Sequence, residues 1–468
     1  EEVETYVKKF AESAYIAKMS GFDGVEIHAV HEGYLLDQFA LALFNKRTDK
    51  YGGDLRGRLR FATEIVQAIK HTCGADYPVS LRYSVKSYVK GIRQGALPGE
   101  EFEELGRDLE EGLEAAKILE KAGYDAFNAD AGTYDSWYWS HPPMYFEKGV
   151  YLHLTEELKK VVNVPVLAAG RMEEPELSSK AIREGRTDAV ALGRPLLADP
   201  YVPLKIRQDR VDDIRPCLSC HKGCMGRIGE GSTLSCAVNP ACGREKVYGI
   251  SPAEEIKDVM IIGGGLAGME SARVCALRGH NVRLFEKSNV LGGNIVPGSV
   301  PEFKVDDRHL LKWYEQELDK LGVEIYKNTL VTVDTVFDEY PDTVIVATGS
   351  TPIKLDIPGI DNDNVYEAAD ILLNGVAAGE NVVIIGAGLV GCETGLWLAQ
   401  NGKKVTIVEM LPEILGGPHS MPFMNYDMLK DLLNFHNVNI FTDSKVTNID
   451  KNQVIVNTKD GEVNIKAD

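Results

Sequence analysis

The sequence predicts an α/β protein that begins with part of a parallel (β/α)8 barrel and ends in two Rossmann-type nucleotide-binding units. Apolar strands alternate with helical segments over residues 1–205, a pattern typical of parallel α/β architecture. Two glycine-rich turns follow apolar strands after residue 256, and a group of four cysteines separates them from the first region. These three observations predict segments at 1–205, 206–255, 256–375 and 376–468.

Composition limits the possible partners. A net charge of −19 argues against nucleic acid as a ligand, since phosphate binding requires clustered Lys and Arg. The longest apolar stretch, 381–399, contains four glycines and Glu393, as expected of a buried strand and turn rather than a membrane span. No secretory signal is evident. We therefore expect a cytoplasmic protein with no membrane or nucleic-acid partner. We also expect a homo-oligomer, although the residues leave the oligomeric state open.

The barrel portion starts with a helix that ends at Gly21, a typical stop signal. Another helix is predicted over Glu100–Ala122. The predicted strands are Gly24–His28, Pro78–Ser84, Tyr124–Asp130, Val164–Gly170 and Asp188–Arg194. A closed barrel needs eight strands, so either these five form an open sheet or three strands precede residue 1. We favour the second reading and expect the chain to be incomplete at both ends.

The candidate catalytic residues follow the first strand. His28, His31 and Tyr34 lie at its carboxyl end, which is the catalytic face of a parallel barrel. Histidines can anchor a carbonyl or carboxylate oxygen, and a tyrosine can donate a proton to carbon. The aromatic segment 133–145 is predicted to be a loop over the substrate pocket, in which His141 assists proton delivery. The alternatives are structural histidines and an aromatic packing or oligomer contact.

Arginines end three of the later strands. Arg82 lies at the end of the second strand, positioned to stabilise an anionic reduced flavin. The turns Gly170-Arg171 and Gly193-Arg194 end the last two strands, where parallel barrels commonly bind phosphate. The alternative for each arginine is an ion pair with surface acids.

The four clustered cysteines are Cys217, Cys220, Cys224 and Cys236, with C-x2-C-x3-C-x11-C spacing. Thiolates bind soft iron or zinc, and zinc ribbons usually use two C-x2-C pairs. The asymmetric spacing favours a [4Fe–4S] cluster; zinc and unrelated buried cysteines remain alternatives. Cys73, Cys242, Cys275 and Cys392 are isolated, although Cys242 is close to the cluster in sequence.

The first glycine turn follows an apolar strand and opens a helix, as a dinucleotide site requires. We expect the pyrophosphate at the helix N-terminus and an acid on the ribose hydroxyls. Its candidate residues are Gly263, Gly265, Gly268, Glu286 and the flavin-type glycines Gly292 and Gly293.

The second turn repeats this arrangement with Gly386, Gly388, Gly391 and Glu409. Two such units in tandem predict one site for FAD and one for a nicotinamide nucleotide. Glu409 favours NADH, because its charge repels a 2′-phosphate. NADPH remains possible, because Lys403 and Lys404 lie nearby in sequence.

Together these motifs resemble a known family. The segment GFDGVEIHAVHEGYLLDQF is similar to the fourth βα unit of Old Yellow Enzyme-type barrels. The order of barrel, cysteine loop and tandem Rossmann units resembles clostridial 2-enoate reductase and 2,4-dienoyl-CoA reductase. Family members often have H-x-x-H-G-Y at the first strand end, whereas this chain inserts Glu32.

The resemblance implies FMN in the barrel, a [4Fe–4S] cluster on the cysteines, and FAD and NAD(P)H in the last segments. By that likeness Arg82, Gly170, Arg171, Gly193 and Arg194 contact FMN. Tyr34 is the proton donor, and His28 and His31 hold the activating group of the substrate.

The implied activity is an ene-reductase in which electrons pass from NADH through FAD, the cluster and FMN to an activated alkene. The alkene stays open among aryl enoates, enoyl-CoA thioesters and steroid enones. The other hypotheses are a 2,4-dienoyl-CoA reductase, an amine dehydrogenase, and an electron-transfer module that reduces a protein partner.

Overall fold

The computed structural model describes residues 1–373, 375–417 and 421–468. They divide into two compact units, Glu1–Gly193 and Arg194–Asp468. The segment boundaries expected at residues 205, 255 and 375 stay predictions.

The first unit contains a parallel sheet flanked by helices. Its strands are β1 (Val25–Val30), β2 (Val79–Ser84), β3 (Val89–Gly91), β4 (Gln94–Gly95), β5 (Ala126–Asp130), β6 (Val166–Ala168) and β7 (Ala189–Val190). Its helices are α1 (Glu2–Met19), α2 (Leu35–Ala40), α3 (Leu55–Cys73), α4 (Leu109–Ala122), α5 (Trp137–Ser140), α6 (Leu152–Lys159) and α7 (Pro175–Arg183).

The sheet order β1-β2-β5-β6-β7 follows the chain, and all its neighbours are parallel. The parallel α/β architecture is therefore confirmed. Among the described residues the five strands form an open sheet and not a closed barrel. Because parallel strands end at one edge, the sheet places its carboxyl-terminal side chains together.

Helix α3 shows why these residues form this layer. The Asp54 carboxylate caps its first turn, satisfying a backbone N–H that has no partner within the helix. Leu59, Ala62, Val66 and Ile69 recur every three or four residues and are buried. This spacing gives the helix one apolar face.

The prediction of a helix over Glu100–Ala122 is wrong in its first half, since α4 begins at Leu109 after the cap Asp108. Glu100 instead accepts hydrogen bonds from Lys90 and the Leu97 N–H. Glu104 likewise accepts three backbone N–H groups across the turn. These acids bind local donors and so hold 100–108 in an irregular path.

The second unit contains three sheets. Its strands are β8 (Asp258–Ile262), β9 (Asn281–Phe285), β10 (Glu324–Tyr326), β11 (Thr343–Val346), β12 (Asn381–Ile385), β13 (Lys404–Val408), β14 (Asn439–Phe441), β15 (Lys445–Ile449), β16 (Gln453–Thr458) and β17 (Gly461–Lys466). Its helices are α8 (Arg194–Ala198), α9 (Val202–Arg207), α10 (Arg227–Gly229), α11 (Leu266–Leu277), α12 (Ile295–Gly298), α13 (Val305–Lys320), α14 (Val333–Glu339), α15 (Ala368–Leu372), α16 (Leu389–Gln400) and α17 (Phe423–Phe435).

Two of these sheets are parallel and built alike. The first has the order β10-β9-β8-β11 and the second β12-β13-β14, while β15-β16-β17 is antiparallel. Each parallel sheet has a strand, glycine turn, helix and strand in succession, β8-α11-β9 and β12-α16-β13. The two predicted Rossmann-type units are therefore present.

The cysteine loop packs on the first of these units. Cys217, Leu218 and Cys236 contact an apolar core that includes Trp313 of α13. The Arg215 guanidinium lies 4.5 Å from the centroid of the Trp313 ring. In the part of the chain that the structure describes, no helix is long and apolar enough to cross a membrane.

Candidate active site and cysteine cavity

The carboxyl edge of the first sheet brings the predicted catalytic groups together. His28 of β1 is in register with Arg82 of β2, and Ser84 of β2 is in register with Asp130 of β5. The ring centroids of His28 and His31 are 4.7 Å apart, and those of His28 and Tyr34 are 4.9 Å apart. The three predicted residues thus form one cluster.

His31 is bonded at both ring nitrogens. Its Nδ1 lies 2.7 Å from Asp130 Oδ2 and 3.3 Å from Ser84 Oγ, and its Nε2 lies 3.1 Å from Glu32 Oε2. Burial disfavours the charged ring, but the charge and hydrogen bond of Asp130, with Glu32, prevail and raise the pKa of His31 to about 9. The ring is therefore an imidazolium at neutral pH.

Asp130 is the buried centre of this edge. It is fully buried, and Arg82 Nη2 lies 2.8 Å from the same carboxylate oxygen that His31 contacts. The Ser84 hydroxyl donates to the other oxygen at 2.9 Å, and Arg82 Nη1 donates to Asn128 Oδ1 at 2.5 Å. One carboxylate thus fixes the strand-end arginine and His31 together.

Tyr34 is held as a neutral phenol. Burial, the negative charge of Glu32 and the neighbouring Tyr134 raise its pKa to about 12. The Tyr34 side chain is 37% exposed, so its hydroxyl remains accessible. A phenol that keeps its proton at neutral pH is suited to act as a proton donor.

His28 and His141 complete the group. Burial, followed by the positive charge of His31, lowers the pKa of His28, so that ring is neutral. His141 lies in the predicted loop, which contains a turn at Tyr134–Ser136 followed by α5. Its Nε2 is hydrogen-bonded to Glu32 Oε1. The structure thus places His141 beside Glu32, and its proposed role in proton delivery stays a prediction.

The other predicted barrel residues lie elsewhere. The Arg171 guanidinium donates to the carbonyls of Met144 and Phe146, and so supports the loop after His141. Gly170 has φ +78°, which favours glycine. A methyl group added at Gly193 would meet nothing within 4 Å, so backbone there is open to a ligand.

Arg194 belongs to the second unit and helps to line a cavity. The cavity is lined by all four clustered cysteines, and its volume of about 340 Å³ includes space open to solvent. Arg194 Nη1 lies 2.9 Å from His221 Nε2, and His221 Nδ1 lies 2.8 Å from Asn425 Oδ1. The predicted ligand set therefore converges on one cavity.

Gly223 lets the two arms of the cysteine loop meet. Its carbonyl accepts the Ser235 N–H at 2.7 Å. An added methyl group would stand 2.8 Å from the Cys236 Cα, so only glycine fits without displacing backbone. This contact brings Cys236 back to the cysteines that precede it.

The cysteines form no disulfides. Burial is the main cause that raises the pKa of the Cys220 and Cys224 thiols, although Arg194 acts in the opposite direction on Cys224. The protein alone thus leaves these thiols protonated, and a bound metal centre would supply the positive charge that ionises them.

The first glycine turn has the geometry of a dinucleotide site. Gly263 has φ +107°, and a methyl group at Gly268 would stand 1.8 Å from the Gly263 carbonyl oxygen. Glu286 accepts the backbone N–H groups of Gly264 at 2.7 Å and Ser288 at 2.8 Å. Burial opposes its ionisation, but these hydrogen bonds lower the pKa of Glu286.

The N-terminus of α11, at this first glycine turn, is open to a ligand. An added methyl group at Gly265, the cap of α11, would meet nothing within 4 Å, and one at Gly293 would lie 3.2 Å from the Gly265 Cα. Backbone therefore approaches the helix N-terminus closely while leaving it open, which suits a pyrophosphate.

The second turn repeats these contacts. Gly386 has φ +101°, and a methyl group at Gly391 would stand 2.0 Å from the Gly386 carbonyl oxygen. Gly388 caps α16 and faces open space. Glu409 accepts the N–H groups of Ala387 at 2.7 Å and Leu411 at 2.8 Å. The two turns are thus equivalent in construction.

The nearby lysines point to other partners. Lys403 donates to the Ala378 carbonyl at 2.9 Å, and Lys404 pairs with Glu380 at 2.6 Å. Neither cation contacts Glu409, whose negative charge therefore stands without a lysine counter-ion among the described residues.

Sequence reasoning missed the roles of Ser84, Asp130 and Tyr134. Ser84 and Asp130 each end a strand, and polar groups at the carboxyl ends of neighbouring parallel strands were a usable signal. Tyr134 contacts Tyr34 through a loop turn, with ring centroids 5.6 Å apart, and no sequence spacing indicated this contact.

Comparison with known proteins places the whole chain. Residues 1–213 match the NADH:flavin oxidoreductase / NADH oxidase family, and residues 257–468 match pyridine nucleotide-disulphide oxidoreductase. The chain is 60% identical to cinnamate reductase of Clostridium sporogenes, covering 100% of the chain and 70% of that protein. The chain belongs to the NADH:flavin oxidoreductase family. It is a flavin-dependent oxidoreductase, and the predicted resemblance is confirmed.

Other members of the family are also similar. An NADH oxidase of Thermoanaerobacter brockii is 43% identical over 92% of the chain and 64% of that protein. The structure of 2-naphthoyl-CoA reductase with 2-naphthoyl-CoA superposes with a TM-score of 0.90 at 33% identity, covering 100% of the chain and 68% of that structure. The chain spans 64–70% of the length of these three relatives.

Proposed function

We propose that this chain is the main part of an NADH-dependent reductase of activated C=C bonds of the 2-enoate or enone type. The observation that carries the proposal is the neutral Tyr34 phenol, with a pKa raised to about 12, beside the paired histidines His28 and His31. The 60% identity to cinnamate reductase makes a 3-aryl-2-enoate the first substrate to test.

The three side chains His28, His31 and Tyr34 have different roles. The neutral ring of His28 can bind the carbonyl or carboxylate oxygen of the substrate. The His31 imidazolium places positive charge beside that oxygen, where negative charge grows during reduction. Tyr34 donates its phenolic proton to the α-carbon. The cluster therefore supplies both an acid and charge stabilisation.

FMN fits the open edge of the first sheet. When bound, it supplies the hydride for the β-carbon. Arg82, fixed by Asp130 and Asn128, would hold the electron-rich side of the flavin, and the open backbone at Gly193 would admit its phosphate. A closed barrel, with strands beyond these five, stays a prediction.

A [4Fe–4S] cluster fits the chemistry of the cysteine cavity, since four soft sulfur donors line it together. The two glycine turns suit FAD and NADH. Lys403 and Lys404 bind the Ala378 carbonyl and Glu380 rather than facing Glu409, which supports NADH over NADPH. The relay from NADH through FAD and the cluster to FMN, and a homo-oligomeric assembly, stay predictions.

The intact second turn also argues against an amine dehydrogenase that runs without a nicotinamide nucleotide. Such an enzyme has no need of the Glu409 contacts or of an open Gly388. The assembled His28, His31 and Tyr34 cluster likewise argues against an electron-transfer module without chemistry of its own.

The test is an anaerobic assay of the holoprotein with NADH and a panel of aryl enoates, enoyl-CoA thioesters and enones. We expect NADH oxidation and a product heavier by two hydrogens with an aryl enoate. Flavins that bleach with NADH while no alkene is reduced would contradict the proposal.

A further inference from the structure

Glu32 occupies an unusual backbone position. Its φ is +59°, in the left-handed region, and its side chain is only 2% exposed. The next residue, Gly33, has φ +83° and donates its N–H to Asp37 Oδ2 at 2.9 Å. Asp37 is itself fixed by a buried pair with Arg107 at 2.8 Å. A left-handed non-glycine residue is strained and persists only where its surroundings hold it there.

This turn directs the Glu32 carboxylate between two histidines. Oε2 lies 3.1 Å from His31 Nε2, and Oε1 is hydrogen-bonded to His141 Nε2. Burial disfavours ionisation, but the His141 and His31 contacts lower the pKa of Glu32 to about 2. The carboxylate is therefore charged throughout the working range, and it joins the strand-end histidine to the loop histidine.

The groups that face His31 come from every neighbouring element. Asp130 of β5 contacts its Nδ1 but is shared with Arg82 of β2. His28 of β1 and Tyr34 face the ring, and Ser84 of β2 is in hydrogen-bond reach. Arg82 offsets part of the negative charge of Asp130. Glu32, in contrast, has a histidine, His141, as its second partner.

We propose that Glu32 is a positioning residue that fixes His31 and His141 in one hydrogen-bonded chain beside Tyr34. The inference rests on the proposed function. When Tyr34 protonates the α-carbon, its O–H bond breaks, a C–H bond forms, and the electron pair stays on the phenolate oxygen. Solvent then returns a proton to the phenolate.

The variant Glu32→Gln tests this inference, because glutamine keeps the size of the side chain but removes its charge. Glu104→Gln is the matched control, since Glu104 is a partly buried acid held by backbone N–H groups. The ring titration of His31 is followed by nitrogen-15 NMR of the histidine-labelled oxidised holoprotein, assigned by its absence in His31→Asn.

We expect the His31 ring of the native chain and of Glu104→Gln to stay protonated up to a pH of about 9. In Glu32→Gln it should lose its proton at a pH lower by about one unit. The pH above which reduced holoprotein loses its rate of oxidation by cinnamate should fall in parallel.

An unchanged His31 titration in Glu32→Gln would overturn the inference and leave Glu32 a purely structural turn residue. The titration is measured without turnover, so the two proposals can fail separately. A shifted titration in a protein that reduces no alkene would retain the role of Glu32 toward His31 and contradict the proposed function.

Discussion

The edge of the first sheet and the cysteine cavity differ in how their polar groups are satisfied. At the edge, Asp130 pairs with His31 and Arg82, while Glu32 pairs with His31 and His141. In the cavity, burial raises the pKa of the Cys220 and Cys224 thiols. The comparison teaches that charged protein groups balance one another at the first site, whereas in the cavity burial favours neutral thiols that no protein cation ionises among the described residues.

The largest expected effect concerns the cysteine cavity. Cys220→Ser should abolish cluster binding and NADH-driven alkene reduction, because a hydroxyl is a poor ligand for iron. Bleaching of a flavin by NADH should persist. Iron and sulfide analysis with anaerobic turnover measures both effects.

Cys275→Ser is the control, since this half-buried cysteine lies on α11 outside the lining of the cavity. A full complement of iron and normal turnover in Cys220→Ser would refute the assignment. Zinc in place of iron in the native protein would refute the cluster type.

The second largest effect concerns the edge of the first sheet. Asp130→Asn removes the carboxylate that pairs with the buried His31 and the partly exposed Arg82, and should destabilise the holoprotein by about 3–5 kcal/mol. The folded pKa of His31 is raised to about 9, above its unfolded value of about 6.5. The contribution of protonated His31 to the free energy of unfolding is therefore complete below about pH 6.5 and is lost as the pH rises through about 9.

Denaturant unfolding should show that the free energy of unfolding of the native protein falls as the pH rises from about 6.5 to about 9. The fall should be smaller in Asp130→Asn. The control Asp188→Asn alters a carboxylate that pairs with Lys159 nearer the surface. Equal pH dependence in Asp130→Asn and the native protein would contradict the assigned pairing.

A smaller effect is expected where backbone alone holds a carboxylate. Glu409→Gln should weaken NADH binding about tenfold and narrow the preference for NADH over NADPH, because the repelling charge is lost. Glu286→Gln makes the same change in the equivalent turn and should leave that preference intact. Dissociation constants for both nucleotides decide the matter, and an unchanged preference in Glu409→Gln would contradict the assignment of the second turn.

The sequence was sufficient where local chemistry decides the structure. The strand–glycine–helix pattern around Gly263 and Gly386 requires positive φ and close helix approach, and both turns have them. The cysteine spacing placed its four residues around one cavity because the loop that carries them is short. The parallel strands of the first unit followed from their alternation with helices.

The sequence was insufficient where contacts are distant or where a backbone angle decides direction. Asp130 reaches His31 from a strand about a hundred residues later, so no local spacing reports the pair. The left-handed turn at Glu32 sends its carboxylate inward, although an inserted acid near a strand end is ordinarily a solvated one. At Glu100 and Glu104, helical composition misled because both acids bind nearby backbone.

The most direct test of the account is the single-turnover oxidation of reduced Tyr34→Phe holoprotein by an aryl enoate, followed by rapid mixing under anaerobic conditions. Removal of the proton donor should slow alkene reduction by about 10²–10⁴-fold, while reduction of the flavins by NADH keeps its native rate. Native rates in both half-reactions would show that Tyr34 is not the acid and would contradict the active site assigned to the first sheet edge.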